Sequence, residues 1–156
     1  MTKTCQLCTF LLDGLLFGVD VVSVQEVIRY QEMTQVPLAS AVVRGLINLR
    51  GQIVTAIDMR ARVGSPASTS SEQPMNVVLC TRDGVVSLLV DEIGDVLDLD
   101  ERDFEPTPES LPRAFREVLL GVYKLEARLL LLLDVEQIAV LGERLEARAR
   151  PGVEAA

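Results

Sequence analysis

The sequence carries one pattern twice, as GLINLRGQIVTAIDM at residues 45–59 and as GVYKLEARLLLLLDV at residues 121–135. Glycine, leucine and aspartate coincide at three aligned positions, 76 residues apart, and seven further positions pair apolar with apolar. A weaker match sets FGVD at residues 17–20 against LLVD at residues 88–91, which is an offset of 71. Two offsets that differ by a small insertion are typical of a duplicated unit. The sequence therefore predicts a fold built from two similar halves.

The two copies differ at the apex of the hairpin that each stretch predicts. The first copy has Arg50-Gly51 at this point and the second has Glu126-Ala127. Gly51 can supply a positive φ, so the side chain of Arg50 should project from a tight turn. The turn itself contains no acidic residue that would hold Arg50. We expect Arg50 to orient a partner and to contribute little to stability; an ordinary solvated arginine is the alternative.

Composition places the chain among ordinary globular domains and argues against several function classes. It has 156 residues, of which 49% are apolar and 24% charged, enough for one domain or for two half-size lobes with a common core. The net charge of −8 argues against nucleic acid as a partner, because phosphate binding requires a basic surface. Histidine, the commonest general base and metal ligand, is absent from the sequence. We therefore predict no catalytic centre, no metal and no cofactor.

Two features bear on where the protein acts. The apolar stretch 8–22 is interrupted by Asp13, Gly14 and Asp20, so it is too short to span a membrane and favours a strand pair. The three cysteines are an odd number, which does not suggest a disulfide framework. The sequence thus predicts a cytoplasmic protein without direct membrane insertion.

Short apolar runs separated by turn residues predict an antiparallel all-β fold with short helices. The clearest hairpins surround Asp13-Gly14 and Asp83-Gly84. Ser23 and Glu26 have the spacing of a capping box, which predicts a short helix after the second strand. The apolar face of that helix would consist of Val24, Val27 and Ile28.

A C-terminal helix and the domain limits follow from the remaining segments. Asp134 can cap a helix over residues 135–146 that turns Val135, Ile138, Gly142 and Leu145 inward. A polar stretch rich in serine, threonine and proline predicts a linker between the halves. The predicted limits are 1–146 for one domain, 7–62 and 76–135 for its two barrels, 63–75 for the linker and 147–156 for a disordered tail.

Three other patterns could carry chemistry, and an ordinary structural role is preferred for each. Cys5 and Cys8 resemble half of a zinc site, but side chains three residues apart in a strand point to opposite faces. Residues 91–105 contain eight acids and one base, for which we prefer a solvated face to a calcium site. Asp58 and Asp134 match across the repeat, and helix or turn capping explains them better than a carboxylate pair.

In three stretches of its sequence the chain resembles the CheW family of bacterial chemosensory coupling proteins. Residues 17–29, FGVDVVSVQEVIR, are similar to the family's early strand and its Val-Gln-Glu segment. Residues 43–60, VRGLINLRGQIVTAIDMR, resemble its signature, including the Asn-Leu-Arg-Gly turn. Residues 88–97 are similar to the family's second-half strand with its Asp-x-x-x-x-Val pattern. The resemblance extends over residues 7–142.

The resemblance implies two small five-stranded SH3-like antiparallel β-barrels that share one continuous core. It also implies a non-enzymatic adaptor that joins the cytoplasmic tip of a chemoreceptor, a helical hairpin, to the regulatory domain of a CheA-type histidine kinase. In the family the receptor helix lies in a hydrophobic groove between the barrels. Carried over by position, the groove and its rim would comprise Val24, Glu26, Gly45, Arg50, Val77 and Val96. Apolar anchors with a few orienting charges suit a helix-in-groove contact.

Two other functions remain open from the sequence. A CheW-like scaffold of a non-motility output, such as a pilus or cyclase pathway, would use the same groove chemistry. A metal-dependent enzyme using the acidic segment 91–105 is the remote alternative, and the absence of histidine argues against it.

Overall fold

The computed structural model describes residues 3–37, 42–59 and 74–140 of the chain. Within these ranges the chain forms eleven strands and several short helical segments. The strands are β1 (Thr4–Leu12), β2 (Leu15–Asp20), β3 (Val24–Ile28), β4 (Val43–Leu49), β5 (Gln52–Ile57), β6 (Met75–Thr81), β7 (Gly84–Val90), β8 (Glu92–Asp100), β9 (Phe104–Glu105), β10 (Leu119–Lys124) and β11 (Leu129–Leu133). The helical segments include the 3-10 turns Val21–Ser23 and Glu101–Asp103, α1 (Arg113–Arg116) and α2 (135–140).

The strands form two sheets, which confirms the predicted all-β class. The terminal sheet has the strand order β8-β1-β2-β11-β10-β9, and the central sheet has the order β3-β6-β7-β5-β4. Neighbouring strands are antiparallel except for one parallel pair in each sheet, β2 with β11 and β5 with β7. These two parallel contacts join strands from different copies of the repeat.

The predicted duplication is confirmed by the register of two hairpins. Each partner pair of the β10–β11 hairpin is a partner pair of the β4–β5 hairpin displaced by 76 residues. The register shift falls at the same step, between Val43 and Gly45 in the first hairpin and between Leu119 and Gly121 in the second. An identical bulge at an identical place makes the two hairpins structural equivalents.

The two copies exchange their first hairpins. β1 and β2 belong to the first copy but pair with β8 and β11, while β6 and β7 pair with β3 and β5. Phe17 pairs with Leu131 as Val86 pairs with Thr55, so the first hairpins are offset by 69 residues and the offset of 71 is wrong. The predicted barrel limits 7–62 and 76–135 are also wrong. Each barrel contains one hairpin from the other half. The second strand of that hairpin pairs in parallel with the last strand of the barrel's own copy, β2 with β11 and β7 with β5.

One apolar core extends across both sheets, as the resemblance implied. It includes Phe10 and Phe17 of the terminal sheet together with Ile57 and Leu88 of the central sheet. A smaller cluster lies within each barrel. The central barrel holds Ile47, Leu49, Val54 and Val78, and the terminal barrel holds Leu7, Tyr123 and Leu130. The shared cluster joins the two barrels into one packed unit, since its members come from both.

The segment after the 3-10 turn is a strand where the sequence predicted a helix. Val24–Ile28 forms β3 at the edge of the central sheet and pairs with β6. Helical structure after β2 is confined to Val21–Ser23, a 3-10 turn capped by the carboxylate of Asp20. The capping-box prediction for Ser23 and Glu26 is therefore wrong. β-branched valines favour strands, and pairing with β6 supplies a ladder that a single helical turn does not.

The C-terminal helix begins where the sequence predicts. Oδ1 of Asp134 accepts hydrogen bonds from the backbone N–H groups of Glu136 and Gln137 at 3.1 and 3.3 Å. Val135 and Ile138 are buried, as expected for the inner face of α2. None of the helices in the described ranges is long and apolar enough to span a bilayer. Residues 63–73 of the linker, residues 141–146 of the helix and the tail 147–156 lie outside the described residues.

Candidate functional site

Arg50 sits at the apex of the β4–β5 hairpin in a left-handed backbone conformation. Its φ is 53° and that of Gly51 is 87°, the signs that a two-residue type I′ turn requires. Within the described ranges, Asp13 is the other non-glycine residue with a positive φ. Aspartate tolerates this region, whereas an arginine there costs roughly 1 kcal/mol or more. An arginine at a position that disfavours it points to a use for its side chain.

The guanidinium of Arg50 forms an ion pair with Glu26 of β3. Nη2 of Arg50 lies 2.8 Å from Oε2 of Glu26. The Arg50 side chain is 70% exposed and the Glu26 side chain 22%. The second carboxylate oxygen of Glu26 is buried and has no hydrogen-bond partner among the described residues. Glu26 thus holds Arg50 from β3, a strand that pairs with neither β4 nor β5, and most of the guanidinium still faces solvent.

Glu26 and Arg50 were both predicted to lie at the site, but their ion pair was not predicted. The corrected offset of 69 places Asp95 at the position of Glu26, while Glu126 occupies the position of Arg50. Both residues of the second copy are acidic, so the ion pair is specific to the central barrel. The two turns also differ, because neither Glu126 nor Ala127 is among the described residues with a positive φ. Opposite charges in one copy against two acids in the other are the signal that could have revealed the pair.

The remaining predicted groove residues differ widely in accessibility. Val24 is half-buried and packs against the shared core. Val77 is fully buried in β6 and packs in the shared core, and its contact with a partner stays a prediction. Val96 is 55% exposed but lies in β8 of the terminal sheet, where it pairs with Cys8.

Two exposed apolar residues in the elements that carry the ion pair were not predicted. Val27 follows Glu26 in β3 and is 40% exposed. Ile53 lies in the same hairpin as Arg50 and is 62% exposed. Their side chains add exposed apolar surface to these two elements, which the buried Val77 does not supply.

Gly45 is a structural residue in this fold. A Cβ atom at position 45 would lie 2.8 Å from the carbonyl oxygen of Thr34, which pairs with Leu46 in an isolated bridge. Its counterpart Gly121 makes the same approach, since a Cβ atom added there would lie 2.6 Å from the carbonyl oxygen of Glu105. Because both copies need a glycine where a second backbone crosses the bulge, close packing explains the shared residue, which is buried at position 45.

Gly45→Ala should lower the free energy of unfolding by roughly 1–3 kcal/mol, the usual effect of forcing an atom into a packed site. Gly14→Ala is the matched control, because nothing lies within 4 Å of its added Cβ and its φ of 78° alone opposes the change. Urea denaturation of both variants provides the measurement. An unchanged stability of Gly45→Ala with a lost partner contact would instead make Gly45 a binding residue.

The cysteines lack the arrangement of a metal or redox site. Cys5 packs in the cluster of the terminal barrel and Cys8 against the shared core, which confirms that they face opposite sides of β1. Burial, followed by the charge of Asp20, raises the pKa of the Cys8 thiol. The thiol of Cys5 lies 3.1 Å from the hydroxyl of Tyr123. A thiol kept protonated is a poor nucleophile and metal ligand.

The acidic segment 91–105 covers β8 and the turn that follows it. Its side chains are exposed or half-buried, and Asp100 forms an ion pair with Arg102 at 3.0 Å. The hydrogen bond from Arg102 lowers the pKa of the Asp100 carboxyl. Across the part of the chain that the structure describes, no three cysteine or carboxylate side chains are placed to hold a metal ion. The segment has the character of a solvated face.

Comparison with known proteins places this geometry in a family. A family model described as a CheW-like domain matches residues 6–142. The chain belongs to the CheW family. The chemotaxis protein CheW of Rhizobium meliloti is 32% identical over 139 residues, which cover 89% of this chain and 90% of that protein. CheW of Klebsiella aerogenes is 33% identical over 129 residues, with coverages of 83% and 78%.

A solved structure shares the CheW fold seen here. The crystal structure of the scaffolding protein TtCheW from Thermoanaerobacter tengcongensis superposes with a TM-score of 0.77. The two chains are 24% identical, and the match covers 86% of this chain and 91% of the other. The central and terminal sheets are accordingly the two SH3-like barrels of the CheW fold.

Proposed function

We propose that this CheW family protein is a non-enzymatic adaptor that couples chemoreceptors to a CheA-type histidine kinase in the cytoplasm. The observation that carries the proposal is the Glu26–Arg50 pair. It presents a cation that is mostly exposed, yet fixed in direction by a half-buried carboxylate. Relatives that match most of the chain are named as chemotaxis proteins, and an adaptor role in chemotaxis follows from membership of their family.

The surroundings of the pair suit a helical partner. Val27 in β3, the strand of Glu26, and Ile53 in β5, the strand after the Arg50 turn, offer exposed apolar contacts. A helix that docks by its apolar face needs such anchors, together with a charge that sets its orientation. The tip of a chemoreceptor, as a helical hairpin, has this form. We assign the surface of Val24, Glu26, Val27, Arg50 and Ile53 to this contact, with Val96 contributing from the terminal sheet.

The residues of the chain argue for coupling without chemistry. A phosphohistidine relay requires histidine, and the sequence contains none. The half-buried Cys8 has a raised pKa, and the Asp134 carboxylate caps α2, so neither is poised as a nucleophile or base. The protein would therefore act by holding its partners in place.

Reconstitution tests the proposal. The full chain, a receptor cytoplasmic fragment and a CheA-type kinase from one organism are mixed, and labelled phosphate on each chain is followed with time. We expect the receptor fragment to change kinase autophosphorylation only when this protein is present, and no label to appear on this protein. Label on this chain, or receptor control of the kinase without it, would contradict the adaptor role.

A further inference from the structure

The terminal barrel contains a cavity of about 360 Å³ that is separate from the Glu26–Arg50 pair. Strands β1, β2, β10 and β11 and the start of α2 line it. Its inner wall consists of the buried side chains of Leu7, Tyr123, Leu133 and Val135. Its more exposed wall carries Asp20, Asp134 and Glu136. The volume is at the lower end of the range of pockets that hold a ligand.

The cavity is electrically negative. Three carboxylates line it, and no lysine or arginine is among the described residues that do so. One oxygen of Asp20 accepts from the N–H of Val22 and one of Asp134 from that of Glu136, so internal hydrogen bonds fix both side chains. Burial raises the pKa of Tyr123 most, and its hydrogen bond to Cys5 and the charge of Asp20 add to the effect. A cation entering the cavity would find two carboxylates already held in position, while Glu136 accepts from the backbone N–H of Arg82.

One exposed apolar side chain in the lining, and another next to the lining residues in sequence, indicate that a macromolecule covers the cavity. Leu120, which lines the cavity, is 55% exposed, and Val22, between the lining residues Asp20 and Ser23, is 81% exposed. Leu120 is the extra residue of the bulge in β10, which turns its side chain outward from the strand pair. A free small cation would leave both side chains in water, whereas a protein surface would bury them.

We propose that this cavity is an anchor pocket for an arginine side chain of a protein partner. The aliphatic stem of the arginine lies against Leu7, Tyr123 and Leu133, while its guanidinium donates to Asp20 and Asp134. Arginine suits the site better than lysine, because its planar group has five donors and is less strongly hydrated. Arginines seated in such pockets commonly dominate the energy of an interface. The inference does not depend on which partners the proposed function names.

A peptide titration of the full-length protein tests the pocket. The probe is the peptide Ac-Leu-Arg-Leu-NH2, and its control contains citrulline, which has nearly the same shape as arginine but no charge. In ¹⁵N–¹H spectra we expect the arginine peptide to shift the amide signals of Cys5, Leu7, Tyr123 and Leu132. The citrulline peptide should bind at least about tenfold more weakly, because the charge-assisted hydrogen bonds are lost. Equal binding of both peptides, or shifts centred on the acidic strand β8, would overturn the proposal.

The second copy of the repeat supplies a blocking variant. The bulge position of Leu120 is occupied by Arg44 in the β4–β5 hairpin, so the fold accepts arginine there. Leu120→Arg should place its own cation at the mouth and weaken the peptide at least tenfold. Leu129→Arg, at a leucine that is 42% exposed and does not line the cavity, adds the same charge and should change the affinity less than twofold. Ser23→Arg is a second blocking variant, with the same expected loss, should Leu120→Arg fail to fold.

Comparing Leu120→Arg with Leu129→Arg distinguishes binding in the pocket from attraction by the net charge of the protein. A similar loss in Leu120→Arg and Leu129→Arg would show that the peptide responds only to the net charge of −8. Binding of n-butylguanidinium as tight as that of the peptide would assign the cavity to a small cation and remove the protein partner. Both results contradict the proposal, since it requires the peptide backbone and its leucines to cover Leu120 and Val22.

Discussion

A chain divided between residues 66 and 67 is expected to give two fragments that are unfolded alone and fold together when mixed. Fragment 1–66 contains β1 to β5, and fragment 67–156 contains β6 to β11. In the first fragment only the β1–β2 and β4–β5 pairings remain, because β3 pairs with β6 and β5 with β7. Isolated two-stranded hairpins are marginally stable at best. The fragments should therefore show folded, well-dispersed amide spectra only in the mixture.

The exchanged hairpin supplies the control. Fragment 21–66 lacks β1 and β2 but retains every strand that the first copy gives to the central sheet. Mixed with fragment 67–156, it should restore amide signals of the central sheet and leave those of β10 and β11 disordered, since β11 loses its neighbour β2. A native-like spectrum of fragment 1–66 alone would show that the first half is a barrel in its own right, as the sequence predicted.

The parts of the fold that sequence predicts well are those set by local chemistry. The Asp13-Gly14 turn and the register of the two long hairpins follow from turn residues and apolar alternation within about 15 residues of chain. The exchange of hairpins is different, because the contact of β2 with β11 joins segments more than 100 residues apart. Duplicated hairpins present similar edges, so the local sequence of a hairpin does not specify which copy it joins. The parallel pairs β2–β11 and β5–β7, which form only in the complete fold, determine that choice.

The error at β3 has a related cause. Val24, Val27 and Ile28 fit one face of a helix, and Ser23 and Glu26 have a capping spacing, yet five residues are too few to form an isolated helix. Pairing with β6 determines the structure instead, and it turns Glu26 towards the Arg50 turn. Local sequence patterns do not reveal the ion pair, because its partners lie in strands that do not pair with each other, and only the comparison of the two copies carries a signal of it. The same β3–β6 pairing places Val77 in the shared core.

Arg50→Asn is expected to leave stability nearly unchanged while weakening partner binding at least about tenfold, the usual minimum for removing a charge from an interface pair. Two effects on stability oppose each other. Asparagine tolerates the positive φ of 53°, which should recover part of the roughly 1 kcal/mol that arginine costs there. Loss of the ion pair removes about 0–1 kcal/mol, the range for exposed pairs. Arg50→Glu should lower the stability more than Arg50→Asn does, since it sets two carboxylates against each other.

Combining Glu26→Gln with Arg50→Asn gives a double-mutant cycle for the ion pair. In the Arg50→Asn background, Glu26 keeps a charge that is only 22% exposed and has lost its partner, so Glu26→Gln should raise the free energy of unfolding. In the parent protein Glu26→Gln weakens a charge-assisted hydrogen bond and should lower the free energy of unfolding. The resulting coupling energy should be about 0.5–1.5 kcal/mol, as for groups in direct contact. Urea denaturation of the four proteins measures it, and a coupling near zero would mean that the pair does not form in solution.

Binding measured on the same four proteins distinguishes a held cation from a merely exposed one. If Glu26 fixes the direction of Arg50, then Glu26→Gln should weaken binding of the receptor fragment by itself, and by less than Arg50→Asn does. Arg44→Asn is the matched control, since Arg44 is an exposed arginine in the same hairpin without the ion pair to Glu26. It should change the affinity less than twofold. Equal losses for Arg44→Asn and Arg50→Asn would reduce the site to general charge attraction, whereas a large fall in stability of Arg50→Asn would make Arg50 a residue of the fold.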